Sequence, residues 1–186
     1  MPRLNMFNNI SLDGYFTDAN GDMSWAHAGR DDPEMGEFTS KNAQGGGALV
    51  FGRVTYELMK AFWPTPMAAQ MMPEVAKGMN AARKYVFSRS LKNSDWTNIV
   101  ILDGDPAGEI ARLKQEDGKG LTVLGSGSIV KQLAAADLID DYQFMLCPVI
   151  LGAGRTLFDG LPGGPRLTLE NSRTFKNGNV FLHYRR

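Results

Sequence analysis

One cysteine, Cys147, occurs in 186 residues, so no disulfide can close within the chain, which suits a reducing compartment. Histidine is nearly as scarce. His27 and His183 are the only two; they lie far apart, and with one thiolate they leave little from which to build a transition-metal site. Charge of one sign is lacking too. The 20 basic residues balance 20 acidic ones, so no global field draws the chain to nucleic acid or to an anionic membrane. No run approaches the ~20 apolar residues of a membrane-spanning helix, and the start MPRLNMFNNISLDGYF carries no signal-peptide pattern. These absences predict a cytoplasmic protein with no membrane segment, no nucleic-acid partner and no bound metal. With no linker, repeat or charge block, residues 1–186 read as one domain.

What is present is an alternation of short apolar runs and helical periods. Residues 3–10 read as a first strand, and SLDGYFTDANGDMSW as a long Asp-, Asn- and Gly-rich loop, a candidate lid over 11–30. A helix follows over 32–44, with Asp32 able to cap it and Pro33 suited to its first turn. ALVFG is a strand buried on both faces, and VTYELMKAFW a helix. A further helix is expected over 67–82, strands at 84–88 and 98–102, and a helix over 106–116. LTVL (121–124) leads into the helix IVKQLAAADL. The chain then finishes all-β, with 141–151 and a hairpin of RLTLENSRTF and NVFLHYR around Lys176-Asn177-Gly178. This order predicts an α/β fold: a central, mostly parallel sheet with an antiparallel C-terminal edge and helices on both faces.

Three strand ends carry groups suited to an anion. Gly125-Ser126-Gly127-Ser128 joins LTVL to its helix. The glycines let a charged group approach the backbone, and the helix start offers unpaired N–H groups. The third glycine of a dinucleotide fingerprint is absent, since Val130 stands in its place; a plain strand-to-helix turn accounts for the motif about as well. In LVFGRVTYE, Arg53 stands at a helix start, where a cation opposes the dipole unless an anion sits between. In YVFSRS, Ser88 and Arg89 sit at a strand tip, and arginine suits bidentate phosphate recognition. A solvated loop arginine is the bland alternative for both.

Together SLDG, FGRVTYE, VFSRSL, VLGSGS and PVILGAGRTLF resemble the dihydrofolate reductase-like superfamily. More closely, the chain is similar to stand-alone relatives of the C-terminal reductase domain of the riboflavin-biosynthesis deaminase/reductase. The resemblance implies a dihydrofolate reductase-like fold binding NADPH across the strand ends, in a homodimer. It implies that Gly52, Arg53 and Thr55 contact the pyrophosphate side. Ser88 and Arg89 would hold the adenosine 2′-phosphate. Gly125, Ser126, Gly127 and Ser128 would hold the pyrophosphate at a helix start, with Ile129 following into the site. On the substrate side it places Glu34, with Asp32 and Glu37 as rivals, as the first-helix carboxylate that assists protonation. Asp13 in SLDG is a second candidate, or else the cap of its own Asp-Gly turn. Trp25 and Tyr56 are candidates for stacking on a flat heterocycle, or else core residues.

The expectation is therefore an NADPH-dependent reductase delivering hydride to a C=N or C=O carbon. The substrate would be a ribosylaminopyrimidine of riboflavin biosynthesis or a pteridine. The alternatives are a reductase acting on xenobiotics and a non-catalytic dinucleotide-binding or sensing module.

Overall fold

A computed structural model describes residues 1–27, 32–116 and 118–186. Residues 28–30 of the expected lid lie outside these. The chain runs β1 (Leu4–Ser11), β2 (Thr17–Asp18), a 3-10 turn (Ser24–His27), α1 (Pro33–Ala43), β3 (Ala48–Gly52) and α2 (Arg53–Phe62). It continues α3 (Pro66–Met71), α4 (Pro73–Ala81), β4 (Lys84–Phe87), β5 (Ile99–Leu102), α5 (Pro106–Leu113), β6 (Leu121–Leu124) and α6 (Gly127–Ala135). It ends β7 (Asp141–Cys147), β8 (Gly154–Arg155), β9 (Thr168–Thr174) and β10 (Val180–Arg185).

Eight strands form one sheet in the order β5-β4-β3-β6-β1-β7-β10-β9. Every pair from β5 to β7 is parallel, and β10 runs antiparallel to both β7 and β9. The expected parallel sheet with an antiparallel C-terminal edge is thus observed. Because six strands share one direction, their carboxyl ends meet along one rim. β6 inserts between β3 and β1, so the strand order reverses there; such a switch point opens a crevice at the rim.

Strand alternation divides the core. Leu4 and Met6 of β1, Val50 of β3, and Tyr85 and Phe87 of β4 join Ile110, Val130 and Leu133 of α5 and α6 on one face. Phe51 and Val86, their alternating neighbours, pack with Tyr56, Val75, Met79 and Trp96 on the other. A third cluster joins Met145 and Cys147 of β7 to Phe175, Phe181 and, half-buried, Phe38 of α1. Emptying any of these large buried side chains to alanine is worth ~2–5 kcal/mol.

Three expectations shift in detail. The helix over 67–82 is two helices, because Pro73 stops α3 at Met71 and starts α4. The strand over 141–151 ends at Cys147, just before Pro148. The long loop after β1 carries a two-residue strand, β2, pinned antiparallel to β8. Gly154 makes that pairing possible: a Cβ there would stand 2.0 Å from the Thr17 carbonyl oxygen. A Cβ on Gly78 would likewise meet the Ala43 carbonyl oxygen at 2.4 Å, so α1 and α4 cross at their closest through a glycine.

Candidate functional site

The rim at the switch point is built from the tips of β3, β6 and β1. Gly125 and Ser126 both take left-handed backbone, with φ of 58° and 52°. Glycine suits the first, since a Cβ there would press on Thr55 Cγ2 at 3.3 Å. Ser126 is a brace. Its hydroxyl accepts from the Gly52 N–H at 3.0 Å and donates to the Leu124 carbonyl at 3.1 Å. Its own N–H donates to Thr55 Oγ1 at 3.1 Å. This lattice locks the starts of α2 and α6 side by side. Ile129, buried, closes the gap beneath: a Cβ on Gly52 would stand 3.3 Å from Ile129 Cγ1.

Both helix starts lack a side-chain cap, whereas Asp105 caps α5 beyond the edge strand β5, and Asp32 caps α1. First-turn N–H groups without a cap are donors for a bound anion. Two of the three strand ends that the sequence marks for an anion thus stand side by side. Ser128 is exposed at the start of α6. Ser126 and Thr55, by contrast, spend their hydroxyls on each other's segment, and Ile129 is a wedge. The space that Gly127 frees is filled: an added Cβ would lie 2.3 Å from Phe16 Cζ. Phe16, from the loop after β1, thus packs against Gly127, a contact the sequence did not reveal.

Arg53 is exposed and gives two hydrogen bonds to Glu57, one turn on, at 2.8 and 2.9 Å. That pairing relieves its conflict with the helix dipole without a ligand. Ser88 follows β4, whose Phe87 lies opposite Gly52, so the third strand tip adjoins the first. The Ser88 hydroxyl oxygen accepts from the Leu91 N–H at 2.9 Å and fixes the turn. Arg89 is exposed, and its guanidinium has no partner among the described residues.

The carboxylates are placed differently. Asp13 ties two loops: it accepts from the Ser11 hydroxyl at 2.6 Å and from the N–H groups of Leu151 (3.2 Å) and Gly152 (2.7 Å). The Ser11 bond and these amides hold it down to about 2. Glu34 pairs with Arg173 at 2.5 Å. Its rival Asp32 accepts from the N–H groups of Glu34 and Met35, and from Asn177 at 3.0 Å, joining α1 to the β9–β10 hairpin. Glu37 pairs with Lys41 on the surface. Tyr56 is corrected from a stacking residue to a core one: it is 1% exposed and its hydroxyl bonds Ser94. Trp25 packs half-buried on the third cluster and donates to the Asp22 carbonyl at 3.2 Å. Cys147 is buried, and desolvation lifts its thiol to about 11, so it stays protonated near neutrality.

A cavity of about 430 Å³ opens beside the braced turn and runs along the sheet under α1, α2 and α4. Its floor is polar, with Asn5 and Asn9 of β1, Thr122 of β6 and Gln143 of β7. Phe7, Phe38, Met59 and Trp63 supply apolar walls, and Thr55 and Gly125 stand at the rim end. These aromatics, not Trp25 or Tyr56, face the space where a flat ring would lie. Among the described residues the lining holds no carboxylate and no histidine, and Lys119 is its one charged residue. Asn5, Asn9 and Gln143 escaped the sequence reading, although asparagines alternating along an interior strand were a visible signal. Among the described residues no cluster of acids, histidines and cysteine could hold a metal, and no helix is long and apolar enough to cross a membrane.

A parallel sheet with this strand order, an antiparallel edge and a cavity ending at a glycine turn defines the dihydrofolate reductase-like class. The chain belongs to the RibD C-terminal domain family, whose pattern it matches over residues 2–181. It is 29% identical to the uncharacterized protein YyaP of Bacillus subtilis (strain 168), over 94% of this chain and 90% of that one. It is 28% identical to YwjB of the same organism, over 94% and 92%. A putative riboflavin biosynthesis protein from Shewanella sp. PV-4 has the same fold, with a TM-score of 0.72 at 21% identity over 99% and 98% of the two chains. The deaminase/5-amino-6-(5-phosphoribosylamino)uracil reductase of Thermotoga maritima superposes with a TM-score of 0.66 at 16% identity. The present chain covers 56% of that longer protein.

Proposed function

We propose that the protein is an NADPH-dependent reductase that transfers hydride to a small flat heterocycle, in the manner of the pyrimidine reductases of riboflavin biosynthesis. The observation that carries this reading is the pairing of two uncapped helix starts, α2 and α6, at the mouth of a cavity with a polar floor. The residues fit a dinucleotide: the two helix starts receive the pyrophosphate, and Arg89, unpaired and one residue past Ser88, receives the 2′-phosphate. When bound, the reduced nicotinamide supplies the hydride.

The chain's own residues orient, exclude water and set polarity. Ser126 and Thr55 keep the two helix starts fixed, so the anion meets donors already in place. Phe7, Phe38 and Trp63 confine a ring, and Asn5, Asn9, Thr122 and Gln143 offer hydrogen bonds to its edge. Among the described lining residues no carboxylate stands ready to give a proton. Hydride addition to the carbon of a protonated C=N leaves a neutral amine and needs no proton from the protein. Addition to C=O leaves an alkoxide that does. A C=N substrate suits this polar floor, such as a ribosylamino-pyrimidine in its open imine form, which takes its proton from water before the hydride arrives. Asp13 and Glu34 then act at a distance, as loop tie and as partner of Arg173.

One second reading is a dinucleotide-binding or sensing module without turnover, since Asp13 is held by Ser11 and Gly152 and Glu34 by Arg173, both apart from the cavity lining. NADPH consumption on ribosylaminopyrimidines, pteridines and xenobiotic imines separates the two. Consumption with the first class supports the proposal; NADPH binding with no consumption on any of them supports the module. A cytoplasmic homodimer completes the reading, and sedimentation checks the dimer.

A further inference from the structure

The dinucleotide reading leaves one charge on the cavity unused. Among the described residues Lys119 alone brings a charge to the lining, and its ammonium has no hydrogen-bond or ion-pair partner there. Glycines set its place. Gly46 takes left-handed backbone, φ 71°, and a Cβ there would stand 3.3 Å from Lys119 Nζ. A Cβ on Gly47 would meet the Gly120 carbonyl oxygen at 3.0 Å, and that oxygen accepts from the Ala48 N–H at 3.0 Å. The segments leading into β3 and β6 therefore lie against each other, with the Lys119 ammonium beside Gly46. This is the end of the cavity away from the rim. Gly120 and Gly125, both in the lining, flank the strand β6, a separation of roughly 16 Å at about 3.3 Å per residue. A single flat ring is shorter than that.

Lys119 is exposed, and a solvated lysine is the ordinary case. Its surroundings set it apart. Asn5 and Thr122, paired in register and both in the lining, have side chains with no partner among the described residues. No described carboxylate of the lining competes for the ammonium. An ammonium offers three donors and no acceptor, and its strong complement is an oxyanion. A ring held near Phe7 with a substituent running toward Asn5 would bring the end of that substituent to Lys119. We infer that Lys119 is a specificity-determining residue of this site, and that the ring taken there carries a substituent ending in an anion, a phosphate or a carboxylate. This rests on the reductase reading. The anion has two sources, a phosphorylated sugar on a pyrimidine or an acyl-glutamate tail on a pteridine. In either case Asn5 and Thr122 add neutral hydrogen bonds beside the charged one.

The test uses Lys119→Met and Lys119→Arg in the full chain, with equilibrium binding by calorimetry as the readout. Probes come in pairs: ribosylaminouracil with and without its phosphate ester, and folate against methylpterin. NADPH is the control. If phosphate is the anion, the parent binds the ester about tenfold or more tightly than the free nucleoside. Lys119→Met then loses that preference, and Lys119→Arg keeps most of it. If carboxylate is the anion, the same pattern separates folate from methylpterin. Salt adds a readout that a packing role would not move: the preference shrinks as salt rises in the parent, and Lys119→Met has none left to lose. NADPH affinity is expected to be equal in parent and variants, since its phosphates sit at the other end. A parent that binds NADPH but shows no preference within either pair overturns the inference and leaves the reductase reading standing. So does a Lys119→Met chain that keeps the parent's preference. A parent that binds no nicotinamide dinucleotide overturns both.

Discussion

Ser126→Ala tests whether one buried hydroxyl holds the two helix starts together. Ser126 is 7% exposed, and water has little access to replace its hydroxyl. Its removal strands the Gly52 N–H, now bonded at 3.0 Å, and frees the Leu124 carbonyl. An unpaired buried donor costs ~1–3 kcal/mol. A loss of about 2 kcal/mol lowers Tm by roughly 5 °C in a chain of this size. The backbone gives an internal control. Ser126 sits at φ 52° and ψ 53°, where a residue with a Cβ is disfavoured by ~1–2 kcal/mol and glycine is not. Ser126→Gly loses the same hydrogen bonds but relieves the backbone, so it should melt a few degrees above Ser126→Ala. Differential scanning calorimetry reads both. If Ser126→Ala melts with the parent, or if glycine and alanine are indistinguishable, the brace is not what orders this rim.

Three further outcomes follow from the same geometry. Lys84 is fully buried and donates to the carbonyls of Asn80, Ala82 and Thr97; Lys84→Met should cost about 2–3 kcal/mol in chemical denaturation, and an unchanged midpoint would refute the role. Burial pulls that ammonium from 10.5 to about 8, so between those values the unfolded chain holds a proton the native state has shed, and stability rises with pH. Lys84→Met should lack that rise, and parallel profiles would contradict the assignment. Asp13→Asn should speed hydrogen exchange at Leu151 and Gly152 while leaving Tm nearly unchanged. The contribution of Asp13 in the parent persists above its ordinary carboxylate range and fades only as pH falls toward about 2; exchange rates equal to the parent's would remove the tie. Arg89→Ala should weaken NADPH about tenfold or more while sparing NADH, as loss of one charged phosphate contact implies; equal weakening would reassign Arg89.

The fold was legible because local signals agreed with the global arrangement. ALVFG announced a strand buried on both faces, KYVF, IVIL and LTVL announced further strands, and the all-β ending announced the antiparallel edge. Pro73 split one helix where the apolar period alone ran on. The rim was legible only as glycines and hydroxyls at strand-to-helix junctions, which suit an anion and a plain turn about equally. Their division of labour was not. Ser126, Thr55 and Ile129 match the motif yet face inward, which depends on the pairing of β3 with β6 and not on neighbours in sequence. Phe16 over Gly127 and the tie from Asp13 to Gly152 are long-range contacts with no local mark. The cavity floor was missed for another reason: only the sheet brings Gln143 of β7 and Thr122 of β6 beside Asn5 and Asn9 of β1. Asp13 was placed by its SLDG motif and Glu34 by resemblance on the first helix, and neither signal tells a capping or paired carboxylate from a free one.

The central claim is that the paired starts of α2 and α6, with Arg89 beside them, hold a phosphorylated nicotinamide dinucleotide. Calorimetric titration of the protein with NADPH and with NADH at fixed moderate salt tests it most directly. The account predicts saturable binding of one dinucleotide per chain, with NADPH tighter than NADH by about tenfold or more, as one extra charged contact implies. Absence of binding by either would contradict it, and would leave the glycine turn as a brace between strands.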